Sequence, residues 1–156
     1  MPPERAAVVS DIPELIRLRA LLFGDLGATG WEAPPPGEDW LRACADALRE
    51  QLTDDSVKIL VIDGDTGLAA CGIGAIDRRL PGPYNLSGLI GHVYGVVTDP
   101  AYRRRGHSRA IMEGLLGWFT DREVRRVNLN ASPDGEPLYR SLGFTEHPAP
   151  TLSRKR

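Results

Sequence analysis

Between positions 89 and 121 the chain passes from an extended apolar run through a short basic turn into a helix, and no other feature constrains the fold as tightly. Ile90-Gly91-His92-Val93-Tyr94-Gly95-Val96-Val97-Thr98 reads as a strand, closed by Asp99-Pro100. Tyr102-Arg103-Arg104-Arg105-Gly106-His107-Ser108-Arg109 follows, and then Ile111, Met112, Leu115, Leu116 and Phe119 at the spacing of one helix face. The first N–H groups of such a helix have no intrahelical partner, and its dipole favours negative charge at that end. Gly106 permits close backbone approach, while Arg103, Arg104, Arg105 and Arg109 add positive potential. The turn is suited to a diphosphate. By itself it reads equally well as a solvated basic turn.

A second block removes that ambiguity. Arg126-Val127-Asn128-Leu129-Asn130-Ala131 reads as a strand, followed by Glu136-Pro137-Leu138-Tyr139-Arg140-Ser141-Leu142-Gly143-Phe144. Together the two blocks resemble the GNAT superfamily of acetyl-CoA-dependent N-acetyltransferases. That family's pyrophosphate loop, [Q/R]-x-x-G-x-[G/A], is matched by Arg103 and Gly106, with Ser108 at the last small position. Its later Leu-Tyr-x-x-x-Gly-Phe signature is matched by Leu138, Tyr139, Gly143 and Phe144. Ser132 stands where many members carry asparagine.

The remaining elements fit this frame. A short strand at 5–9 leads to a helix with Ser10 as its N-cap, Pro13 in its first turn and Ile12, Leu15, Ile16, Leu22 and Phe23 on its apolar face. Gly24, Gly27 and Gly30 are expected to end it. Trp40, Leu41, Cys44, Ala45, Leu48 and Leu52 mark a second helix. Strands at 57–62 and 68–76 form a hairpin around Asp63-Gly64-Asp65, and 80–87 is a loop. The strand of 89–98, a helix at 107–121, a strand at 125–131, a short helix at 135–142 and a last strand near Phe144 complete the chain. The order β-α-α-β-β-β-α-β-α-β predicts an α/β (α+β mixed) fold, one GNAT-like domain over 1–156 with a twisted mixed sheet flanked by helices.

Composition narrows the function classes. The net charge of the 156 residues is −2, which argues against a general nucleic-acid binder. No run is long enough to span a membrane, and the N-terminus lacks a signal-peptide layout, so a cytoplasmic location is expected. The basic tail Arg154-Lys155-Arg156 reads as a solvated end. Cys44 and Cys71 have no metal-ligand spacing and read as buried free thiols, so no metal is expected and a covalent acyl-enzyme is disfavoured.

The resemblance implies acetyl-CoA as co-substrate and a small-molecule or peptide amine as acceptor, with no nucleic-acid or membrane partner and with a homodimer in keeping with the family. In that family the strand before the loop splays from its neighbour and its backbone pairs with the pantetheine arm; Val96, Val97 and Thr98 occupy those positions. Arg103, Arg104, Arg105, Gly106, His107, Ser108 and Arg109 form the diphosphate contact. His92 stands where several members place a glutamate base, and an imidazole, with a pKa of about 6.5, suits the deprotonation of an amine. Its other reading is a hydrogen-bonded core histidine. Tyr139 stands where many relatives protonate the departing thiolate, and a phenol of pKa about 10 is competent for this. Its other reading is a packing tyrosine. His147 carries no assigned role.

Acceptor choice is expected to lie with residues 24–40 and 79–88. There Trp31 and Trp40 form either an aromatic wall or core, and Asp25, Glu32, Glu38 and Asp39 either attract a cationic amine or are solvated. A non-catalytic acyl-CoA sensor is the alternative function. A nucleotide-binding domain is weaker, since a Walker lysine and a G-x-G-x-x-G after the first strand are both missing.

Overall fold

The computed structural model describes residues 3–26 and 39–156. Its elements are β1 (Arg5–Ala6), α1 (Ile12–Leu26), α2 (Asp39–Gln51), β2 (Val57–Asp63), β3 (Leu68–Arg78), β4 (Leu89–Thr98), α3 (His107–Asp121), β5 (Val127–Leu129) and α4 (Glu136–Ser141). The five strands lie side by side in chain order. The first four are antiparallel, whereas β5 runs parallel to β4. A parallel neighbour demands a crossover, and α3 supplies it.

Helices cover both faces of the sheet. Leu15 and Leu18 of α1 and Leu48 of α2 pack on Val61, Cys71, Ile73 and Val97. On the other face Ile111, Met112, Leu115 and Phe119 of α3 pack on Ile62, Ala70 and Val93. β3 is buried continuously from Leu68 to Gly74 because it is covered on both sides. Small residues bring α3 close: a Cβ at Gly91 would lie 2.7 Å from Phe119 Cε1, and one at Gly72 would overlap Ile111.

Two irregularities in β4 position the site. Cys71 faces Val97 but Ile73 faces Tyr94, so β4 holds one residue more than β3 over this stretch. Gly95, at φ 64°, takes up that bulge. On the other side β4 pairs with β5 only through Gly91, His92 and Val93. Beyond Val93 the two strands part.

Several expectations need correction. Ser10 lies inside a 3-10 turn (Val9–Asp11), and the Asp11 carboxylate accepts the Val8 N–H at 2.8 Å in its place. α1 runs through Gly24 to Leu26, because that glycine is exposed and nothing there forces a turn. β5 is shorter than 125–131, since β4 has already turned away beyond Leu129. The last strand near Phe144 does not form: Pro148 and Pro150 withhold donors, and the segment stays irregular. No helix among the described residues is long and apolar enough to cross a membrane.

Candidate active site

The basic turn begins at a one-turn 3-10 helix, Pro100–Tyr102, for which Asp99 is the cap, accepting the Ala101 N–H at 2.9 Å. Arg104 (φ 65°) and Gly106 (φ 80°) are both left-handed. Alternating hands along a backbone turn successive N–H groups into one concavity, an anion-binding nest. Gly106 is also the N-cap of α3, and a Cβ there would meet nothing within 4 Å, so the cradle opens to solvent. Thr98 Oγ1 and Ser108 Oγ, 2.8 Å apart, tie the end of β4 to the start of α3.

The arginines divide by task. Arg105 lies over the Tyr102 ring, 5.3 Å from its centroid, and Arg109 donates to Ser141 Oγ at 2.8 Å, linking α3 to α4. Arg103 Nε donates to the Thr98 carbonyl at 3.4 Å. Arg103, Arg104 and Arg105 all remain exposed at the cradle. His107 differs from its neighbours. It is only 4% exposed and packs beside Tyr102, so its backbone N–H, and not its ring, faces the turn. Its imidazole is held below the ordinary range by burial and then by Arg105.

The parted strands expose backbone. Because the Asp99 N–H donates to Ala69 on β3, strand alternation directs the N–H groups of Thr98 and Val96 to the side vacated by β5. Val97 points its side chain into the core. At the bulge the Gly95 carbonyl accepts from the Cys71 thiol at 3.6 Å. Burial pushes that thiol up to about 12 and raises Cys44 as well, so neither is a poised nucleophile.

His92 and Tyr139 line one groove of about 800 Å³, together with Arg126, Asn128, Asn130 and the segment 143–151. Tyr139 comes from α4, whose first turn Ser132 holds: its Oγ accepts the Gly135 N–H at 3.2 Å. Ser132 thus supports the turn that carries the tyrosine. The Tyr139 ring packs on Phe144, centroids 6.1 Å apart, and on Gly135. Desolvation raises its phenol above the ordinary value, so it keeps its proton at neutral pH. Its hydroxyl bonds to no other described residue. His92 stacks on Tyr94 at 6.0 Å, and its ring likewise makes no hydrogen bond among the described residues, unlike a hydrogen-bonded core histidine.

Sequence reasoning passed over Asn128 and Asn130. Val127 and Leu129 pack toward α3, so the two asparagines share the opposite face with Arg126 and, by the register of His92 with Asn128, with His92. The apolar–polar alternation of 127–130 was the available signal. Of the expected acceptor residues, Trp31, Glu32 and Glu38 and the side chain of Asp25 lie outside the described residues. Trp40 packs edge-on against Phe23 at 5.5 Å, and Asp39 is exposed and paired with Arg42. His147 accepts the Ala149 N–H through Nδ1 at 2.9 Å.

Comparisons with known proteins give the family and the fold. Residues 25–155 match the family model described as an acetyltransferase (GNAT) domain, and the chain belongs to that family. It is 30% identical over 149 residues to glucosamine 6-phosphate N-acetyltransferase 1 of Oryza sativa subsp. japonica, covering 90% of this chain and 88% of that protein. Two crystal structures share the fold. One is a predicted acetyltransferase from Clostridium acetobutylicum solved with acetyl-CoA (TM-score 0.85, 21% identity, 99% of this chain and 96% of that one). The other is glucosamine-6-phosphate N-acetyltransferase from Arabidopsis thaliana (TM-score 0.77, 20% identity, 99% and 98%). The chain is an acyl-CoA-dependent N-acetyltransferase.

Proposed function

We propose that the enzyme transfers acetyl from acetyl-CoA directly to the primary amine of an amino-sugar phosphate such as glucosamine 6-phosphate. The observation that carries the chemistry is the groove shared by His92 and Tyr139, beside the point where β4 leaves β5. In this reading the nest of 103–109 holds the diphosphate, and Val96, Val97 and Thr98 line the pantetheine arm. The Val96 and Thr98 N–H groups are its hydrogen-bond donors, and one of them polarises the thioester carbonyl.

The amine nitrogen attacks the carbonyl carbon while His92 accepts its proton. As the tetrahedral intermediate collapses, the carbon–sulfur bond breaks and Tyr139 protonates the departing thiolate. The acceptor class is supported by the 30% identical rice relative. It is further supported by Arg126, which shares a face with His92 and has no ion-pair partner among the described residues.

The experiment is an amine panel scored by release of free CoA thiol. Glucosamine 6-phosphate is expected to outpace glucosamine, putrescine and a lysine peptide. A faster rate with the peptide or with putrescine would replace the acceptor and leave the acyl transfer standing.

His92→Ala is expected to lower the rate most near neutral pH, where an alkyl amine is mostly protonated, and less at high pH where the amine is already neutral. A pH–rate profile parallel to wild type would reduce His92 to packing.

A further inference from the structure

A loop that grips a diphosphate must hold its own backbone still, and here that backbone includes Arg104, a non-glycine residue at φ 65°. Such a conformation persists only where its surroundings enforce it. The enforcement enters at Asp99. The Asp99 N–H donates to Ala69 O at 2.8 Å, its carbonyl accepts the Tyr102 N–H at 2.8 Å, and its Oδ1 accepts the Ala101 N–H at 2.9 Å. The remaining oxygen, Oδ2, accepts from Arg17 Nη1 of α1 at 2.6 Å.

Arg17 is itself fixed. Its Nε and Nη2 donate to both oxygens of Glu14 at 2.8 and 2.9 Å, and Nη2 also donates to the Leu68 carbonyl at 3.0 Å. Glu14 Oε1 in turn accepts the Leu68 N–H at 2.8 Å. A planar fork bonded on both edges fixes direction as well as distance. The Arg17 fork holds the Glu14 carboxyl below the usual range, and the Ala101 N–H followed by Arg17 does the same for Asp99, so both stay charged at working pH. Tyr102 anchors the turn a second time, its hydroxyl accepting the Asp65 N–H at 2.7 Å. The cradle is thus braced from α1 and from the β2–β3 turn, by residues that do not themselves form it.

We infer that Arg17 is a positioning residue for the acyl donor, setting the pitch of loop 103–106 through Asp99 so that its loss weakens recognition of the donor's diphosphate in particular. This rests on the reading of that loop given above. The test compares acetyl-CoA with acetyl-pantetheine, which carries the same thioester and no diphosphate, in wild type, Arg17→Met and Arg17→Lys. Arg17→Met removes the bond to Asp99 together with those to Glu14 and Leu68, and loss of the Asp99 bond is expected to cut the kcat/KM preference for acetyl-CoA about tenfold, chiefly through KM for acetyl-CoA. Arg17→Lys, which keeps the charge without the fork, is expected to recover part of it.

Asp99→Asn serves should Arg17→Met fail to fold. It keeps the Oδ1 acceptor for Ala101 and puts a donor NH2 where Oδ2 accepted from Arg17, so it breaks only that bond, with the same direction expected. An unchanged preference in both variants, or an equal loss with both donors, overturns the inference. A wild-type enzyme that shows no preference for acetyl-CoA removes the diphosphate reading of the loop, and the inference with it.

Discussion

Gly106→Trp is expected to abolish acetyl-CoA binding while leaving a folded protein. Two effects act in the same direction. At φ 80° an L-residue pays roughly 1–2 kcal/mol that glycine does not. More importantly, a Cβ at Gly106 points into space that is open within 4 Å, and an indole placed there fills the concavity the diphosphate would enter. Affinity is expected to fall at least about a hundredfold, equivalent to about 2.7 kcal/mol. Because the new side chain projects away from the core, the thermal midpoint is expected to drop by only a few degrees, the size of the backbone strain alone. Unchanged CoA affinity in a folded variant would remove Gly106 from the site.

Tyr139→Phe should divide the kinetic constants. A positioned acid contributes about a hundredfold or more, so kcat is expected to fall on that order while the Kd for acetyl-CoA stays within about twofold. The burial that raises the Tyr139 phenol keeps its proton in place at neutral pH. The ring contacts with Phe144 and Gly135 survive the change, so the fold is expected to be untouched. Equal turnover would assign Tyr139 to packing alone.

Elements specified by local sequence form where expected, and those set by distant neighbours do not. β4 and α3 match their expected bounds of 89–98 and 107–121, because a long apolar run closed by Asp99-Pro100 and a five-residue helix face are complete signals in themselves. The Leu138-Tyr139 and Gly143-Phe144 pairs likewise place α4 and its tyrosine. What the sequence could not display are the consequences of how neighbours meet. The early end of β5 follows from the divergence of β4, and no residue within β5 announces it. Burial of His107 arises because side chains at a helix start lean back toward the preceding turn, where Tyr102 waits. The Arg17–Asp99 bond joins residues separated by 82 positions, and nothing local to either marks the other as its partner. The irregular tail shows the opposite error: the strand expected near Phe144 is one that Pro148 and Pro150 oppose.

The cradle between β4 and α3 is proposed as the site for the acyl donor, and every catalytic role above depends on it. Calorimetric titration of acetyl-CoA into the purified protein, with ATP and NAD as controls, addresses it most directly. Saturable binding of acetyl-CoA and no binding of either nucleotide is the expected result. Absence of acetyl-CoA binding, or equal affinity for ATP, would contradict it.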